Sequence, residues 1–166
     1  MMLGMSLSTF TFVHVLISLV GIATGLVVVY GLLSGKTLNG WTGVFLTTTI
    51  LTDITGYGFP FEKLLPSHIV GMISLAILAV TLVALYGRHL SGAWSRIYAV
   101  GATLGLYLNV FVLVVQGFLK VPALKALAPT QSEPPFLIAQ LVVLAIFLTI
   151  AVRLGIRFRG PSVRTA

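Results

Sequence analysis

The sequence contains no cysteine and very little charge. Without cysteine among its 166 residues, the chain cannot form disulfides, thiolate metal sites or a cysteine nucleophile. Only 8% of the residues are charged and three are acidic, whereas about a quarter of the residues in soluble domains are charged. The composition is instead 58% hydrophobic, with a mean hydropathy of +1.11. These values predict an integral membrane protein, for which the bilayer is the solvent.

Recognisable catalytic motifs are also missing. The sequence has no HExxH, no GxSxG, no P-loop and no dinucleotide fingerprint. Enzymatic activity would therefore depend on a bound metal, and no spacing of residues favours one. The sequence identifies no catalytic residue, and it is more typical of a protein that is not a conventional enzyme.

Five apolar runs reach the roughly 20 residues that a membrane-spanning helix needs. Turn-forming Ser, Gly, Asn and Pro residues separate these runs. The length leaves room for one bundle and no second soluble domain, so residues 1–166 are predicted to form a single all-α transmembrane helix bundle. The predicted spans are 8–33, 41–60, 67–87, 94–118 and 136–156, with an interfacial segment at 119–135 in which Pro122 begins a short helix that could cover a pocket.

Basic residues are divided unevenly between the two ends of these spans. The end at which the first span begins, called here the N-terminal side, carries three lysines and all three acids. The opposite end, called the basic side, carries the other seven basic residues. The positive-inside rule places the basic side in the cytoplasm, which predicts an N-out/C-in protein. Topology thus accounts for the +7 net charge, and nucleic-acid binding is not expected.

Small and polar residues share faces on the predicted helices. Residues spaced by three, four or seven positions lie on one face, which places His14 with the GxxxG at 21–25 and Asn109 with the GxxxG at 101–105. GxxxG is typical of close packing between membrane helices. Because lipid does not accommodate polar groups, these faces are expected to point into the bundle.

The polar residues of the spans are predicted to converge in the half of the bilayer nearest the N-terminal side. At about 1.5 Å per residue, they lie within the first three turns from that end. Asp53, the one carboxylate within a span, is interpreted as a proton carrier, a cation ligand or a substrate anchor, or else as a structural hydrogen-bonding residue. The candidate ligand-binding residues are His14, Asp53, Tyr57, His68, Asn109, Gln116 and Gln140.

Two histidines begin spans on the N-terminal side and are candidates for metal or cofactor binding. His14 and His68 would serve as axial ligands of one haem b, or would share a metal ion with Asp53 or Glu62. The alternative is that the two histidines are separate structural residues. The sequence leaves both interpretations open.

Three segments of the sequence resemble a known group of membrane proteins. They are FPFEKLLPSHIVG (59–71), YLNVFVLVVQGF (107–118) and APTQSEPPFLIAQ (128–140). They resemble segments of a family of small bacterial multi-span inner-membrane proteins of unassigned function. The resemblance extends over residues 36–150 and implies a location in the bacterial inner membrane, but it implies no activity and no catalytic residues.

Three functions are compatible with these features. The first is a binding protein or carrier that holds a small ligand, ion or cofactor in an outward-facing polar pocket. The second is a b-type haem electron-carrier subunit. The third is a non-catalytic accessory or assembly subunit that docks a larger membrane complex. The lipid bilayer is the expected surrounding in each case, and a membrane-protein partner or a homo-oligomer is compatible with all three.

Overall fold

The computed structural model describes residue 4 and residues 6–59 and 66–160. This part of the chain is a bundle of helices and contains no strand. A π-helical turn continues the third helix without a break. The elements are α1 (Leu7–Leu33), α2 (Asn39–Gly56), α3 (Pro66–Leu82), the π-helical turn (Val83–Gly87), α4 (Trp94–Lys120), α5 (Pro122–Leu127) and α6 (Pro134–Arg157).

Four helices are long and apolar enough to cross a membrane. They are α1, the helix from His68 to Gly87, α4 and α6. The prediction of an all-helical bundle is thus confirmed for the described residues, and these four helices suit a membrane protein. α2 is not among the four, because its threonines and Asp53 lower the hydropathy of its 18 residues.

The ends of the helices agree closely with the local sequence signals. Ser6 caps the start of α1, where its side chain accepts a hydrogen bond from the Thr9 backbone N–H at 3.2 Å. Gly35, in the left-handed region with φ at 73°, ends the same helix. Pro122 occupies the first turn of α5 as predicted. The exception is α2, which ends at Gly56 rather than at the predicted position 60.

α1, α2, α3 and α4 form a ring in which each helix packs against the next and α4 packs back on α1. α5 and α6 both pack against α4 from outside this ring. The fully buried side chains inside the ring include Phe45, Leu78 and Leu106. Each of these large side chains takes space that small residues on neighbouring helices leave open.

The two GxxxG pairs allow this close packing. A Cβ atom at Gly25 would lie 2.7 Å from Leu106 Cδ1 and 2.8 Å from Phe45 Cε2. A Cβ atom at Gly101 would clash with the hydroxyl group of Thr81 on α3. The glycines thus bring α1 against α2 and α4, and α4 against α3, as expected for small residues between membrane helices.

Candidate functional site

Helix α2 supplies the polar side chains that connect the ring on its N-terminal side. Thr48, Thr52 and Thr55 donate their hydroxyl protons to carbonyl groups one turn earlier, which satisfies these groups within α2 itself. Thr49 and Asp53 instead face neighbouring helices. Because α2 lies between α1 and α3 in the ring, its polar residues meet partners on both sides.

The carboxyl group of Asp53 faces α3, where its polar neighbour is the hydroxyl group of Ser74. Ser74 is only 2% exposed, and its Oγ has no hydrogen-bond partner among the described residues. Asp53 Oδ2 is also shielded from solvent and has no hydrogen-bond partner in the part of the chain that the structure describes. The two groups are thus neighbours that are not aligned as a hydrogen bond. Buried polar atoms are nearly always paired, and leaving one unpaired costs about 1–3 kcal/mol.

Tyr57 follows α2 and covers the same face. Its ring stacks on the ring of His68, with 5.4 Å between the two ring centroids. Its hydroxyl group donates a hydrogen bond to the His68 carbonyl oxygen at 2.7 Å. Gly71 permits this contact, because a Cβ atom there would lie 3.1 Å from the Tyr57 hydroxyl oxygen. Asp53 lies close enough for its charge to act on the Tyr57 hydroxyl group. We call Asp53, Tyr57, His68 and Ser74 the α2–α3 polar cluster.

A hydrogen bond across the ring extends this cluster towards α4. Asn109 donates through Nδ2 to Thr49 Oγ1 at 3.0 Å. Thr49 is fully buried and Asn109 is 8% exposed. Thr49 precedes Asp53 by four residues, so it lies one turn deeper on the same face of α2. The face of α2 that carries Thr49 and Asp53 is therefore turned into the bundle.

His14 lies apart from the cluster, on the α1 side of α2. Its Nδ1 is 2.8 Å from Thr55 Oγ1, and its ring meets the Phe59 ring edge-on at 5.2 Å. The Thr55 hydroxyl proton points to the Leu51 carbonyl, so the histidine nitrogen is the donor in this bond. Thr55 is two residues from Asp53, which at about 100° per residue places it on another face. The structure does not bring His14 and Asp53 side by side.

Two amides that were predicted for the pocket lie outside the cluster. Gln140 of α6 donates through Nε2 to the Phe111 carbonyl at 3.2 Å, while its Oε1 is buried and finds no partner within the described ranges. Phe111 and Asn109 lie on nearly opposite faces of α4, because they are two residues apart. Gln116 is exposed on the surface of the bundle. Neither amide therefore contacts the α2–α3 polar cluster.

The interfacial segment is attached to α4 rather than to the cluster. Gln131 has a left-handed φ of 59° and donates through Nε2 to the Val115 carbonyl at 2.8 Å. Glu133 accepts hydrogen bonds from the backbone N–H groups of Thr130 and Ser132 and from the Thr130 hydroxyl. Desolvation opposes ionisation of Glu133, but these hydrogen bonds outweigh it and hold its pKa below the usual range.

The side chains proposed for metal or haem binding are not grouped in the described residues. Among residues 6–59 and 66–160, no three His, Asp or Glu side chains lie close enough to hold a metal ion. His14 and His68 belong to helices at opposite corners of the ring, and each imidazole packs against an aromatic ring near the end of α2. Glu62 lies outside the described residues. Haem binding and a shared metal therefore stay predictions.

Ser74 is the member of the cluster that the sequence analysis missed. Counting four residues from His68 selects Met72, which is 48% exposed. Counting by threes selects Gly71 and Ser74, which are both buried. Ser74 could have been identified from the sequence, because it follows Gly71 by three residues, just as Gly71 follows His68.

No protein family, curated protein or solved structure matches this chain. The resemblance to small bacterial inner-membrane proteins therefore stays a prediction. Function has to be inferred from the chemistry of the α2–α3 polar cluster, which offers one carboxylate, two hydroxyl groups and an imidazole.

Proposed function

We propose that this chain is a membrane protein that binds a small ligand or ion at the α2–α3 polar cluster, which the ligand enters from the N-terminal side. The observation that carries the proposal is a pair of buried oxygens, Asp53 Oδ2 and Ser74 Oγ, for which residues 6–59 and 66–160 supply no hydrogen-bond partner. A ligand that contacts both atoms would supply their missing partners. It would also offset the cost of placing a carboxylate inside the membrane.

We propose that α2 is a fifth span. Its 18 residues extend about 27 Å, close to the roughly 30 Å of the hydrocarbon core. Its polar face is covered by other helices, whereas Trp41, Leu51 and Ile54 are 42–55% exposed and present apolar groups outwards. This division suits a helix with protein on one side and lipid on the other.

We also propose how the protein is oriented in the membrane and in which membrane it lies. The excess of basic residues on the side opposite the N-terminus supports an N-out/C-in arrangement. In that arrangement the α2–α3 polar cluster opens outwards, because Asp53 lies three residues from the outer end of α2. A location in the bacterial inner membrane rests on the sequence resemblance alone.

Single-cysteine labelling tests whether the cluster is open to the N-terminal side. The chain has no cysteine of its own, so Ser74→Cys is the only thiol in that variant. We expect a small cationic methanethiosulfonate reagent to modify it in sealed vesicles when added on the N-terminal side. Asp53→Asn in the same background should slow the cationic reagent but not a neutral one, since the carboxylate attracts positive charge.

Thr81→Cys is the matched control for this experiment. Thr81 is fully buried on the same face of α3, seven residues deeper than Ser74, and it should resist the reagent. If Ser74→Cys reacts only after denaturation, as the control does, the cluster has no opening to the N-terminal side, and a binding protein that is filled from that side is ruled out.

A further inference from the structure

The charge of the ligand can be inferred from what surrounds Asp53, and this inference rests on the proposed function because it concerns the same cluster. Burial desolvates the carboxyl group, and its polar neighbour is the Ser74 hydroxyl. No lysine or arginine of the described residues lies close enough for its charge to influence the carboxyl group. The titratable groups at the same end of the packed elements are Tyr57 just after α2, His68 on α3 and His14 on α1, and α4 contributes the neutral amide of Asn109.

We propose that Asp53 and Ser74 hold a single monovalent positive charge, which is either a proton or an alkali-metal ion. A proton on Asp53 turns the carboxyl group into a donor, and Ser74 Oγ is the acceptor beside it. An alkali-metal ion uses the carboxylate and the hydroxyl oxygen as hard ligands. Either occupant cancels the one negative charge, which a carboxylate in a medium of low dielectric constant requires.

Divalent ions and bulky ligands fit this cluster less well. A divalent ion would leave one positive charge without compensation, and Ca²⁺ takes about six to eight oxygen ligands. The Tyr57 ring packs on both His68 and Gly71. Tyr57, which lies close enough for the charge of Asp53 to act on it, thus closes one side of the cluster, and this favours a small occupant.

The test is the reaction of the purified, full-length protein with dicyclohexylcarbodiimide, an apolar reagent that modifies protonated carboxyl groups. The acid O–H adds across one C=N bond, and the acyl group then migrates from oxygen to nitrogen to give a stable N-acylurea without another reactant. The chain has only three acidic side chains, so peptide mass spectrometry identifies the modified one. We expect modification at Asp53, slowing about tenfold per pH unit once the acid is ionised.

Salt and variants distinguish the two occupants. The rate is compared in choline chloride, sodium chloride and potassium chloride at equal ionic strength. Slower modification in one alkali salt identifies that metal ion as the occupant, whereas equal rates identify the proton. Asp53→Asn should abolish the modification while keeping its helical circular dichroism, and Glu133→Gln, which removes a loop carboxylate on the same side, should leave the rate unchanged.

An Asp53 that is never modified, at any pH or in any of these salts, overturns the inference of a monovalent charge. The proposed function survives that result if Ser74→Cys still reacts from the N-terminal side, because the cluster is then open to a different ligand. The reverse result, modified Asp53 with unreactive Ser74→Cys, removes the outward opening and retains the monovalent site.

Discussion

Thr49 differs from Thr48, Thr52 and Thr55 in what its oxygen binds. Those three bond to their own helix, whereas Thr49 Oγ1 accepts the amide of Asn109 from across the ring. α2 and α4 are at opposite corners of the ring, and a second hydrogen bond, between the hydroxyl groups of Thr42 and Tyr98 at 2.9 Å, also joins them. The Asn109–Thr49 bond is the one of these two cross-ring bonds that lies next to the α2–α3 polar cluster.

A double-mutant cycle measures this hydrogen bond. Asn109→Ala and Thr49→Val, made singly and together, should show a coupling free energy of about 0.6 kcal/mol and at most about 1.7 kcal/mol, the range for hydrogen bonds between membrane helices. The free energies of unfolding come from titration with sodium dodecyl sulfate in mixed micelles. Thr52→Val is the control, because its hydroxyl bonds to the Thr48 carbonyl at 2.9 Å. If Asn109 showed the same coupling free energy with Thr52 as with Thr49, the cross-ring hydrogen bond would be contradicted.

Sequence periodicity shows which residues share a face, but not which neighbour that face meets. Periodicity places Asp53 and Tyr57 on one face of α2, and both residues lie in the α2–α3 polar cluster. It also placed His14 in the same pocket, although His14 meets α2 at Thr55. The order of helices around the ring decides such contacts, and nothing within one helix encodes that order.

Glycine positions show how tightly individual helices pack. Gly25→Ala should destabilise the bundle by about 1–3 kcal/mol, as overpacking does, because its methyl group would enter the space of Leu106 and Phe45. Gly43→Ala on α2 meets nothing within 4 Å, so it should gain about 0.5–1 kcal/mol from helix propensity. Unfolding titrations in micelles measure both changes. Equal effects of the two substitutions would show that α1 does not approach its neighbours this closely.

Most helices were predictable from the sequence, because apolar runs and their flanking turn residues are local signals. α5 was predictable from Pro122. The π-helical turn was not, because hydrophobic content is the same for α and π winding. It is visible only in backbone hydrogen bonds that span five residues, such as the bond from the Arg88 N–H to the Val83 carbonyl at 2.8 Å. His89 and Leu90, which follow it, both have a left-handed backbone.

The number of spans is a property of the whole molecule and can be measured directly. Ser8, Ser91 and Ser132 are exposed, and each is replaced by cysteine in turn. If α2 crosses the membrane, an impermeant maleimide added outside intact cells should modify Ser8→Cys and Ser132→Cys, and should reach Ser91→Cys only after lysis. If α2 does not cross, Ser91→Cys is modified outside and Ser132→Cys is protected. Ser8→Cys, modified in either case, confirms the N-out orientation.

The polarity of α2 has a consequence for how the protein is made. An isolated segment with Asp53 and this many threonines gains little by leaving a translocon for lipid. Its partners α1 and α3 flank it in the chain and cover its polar face. The nascent chain is then expected to retain α2 at the translocon until α3 emerges from the ribosome, so that these three helices enter the bilayer together.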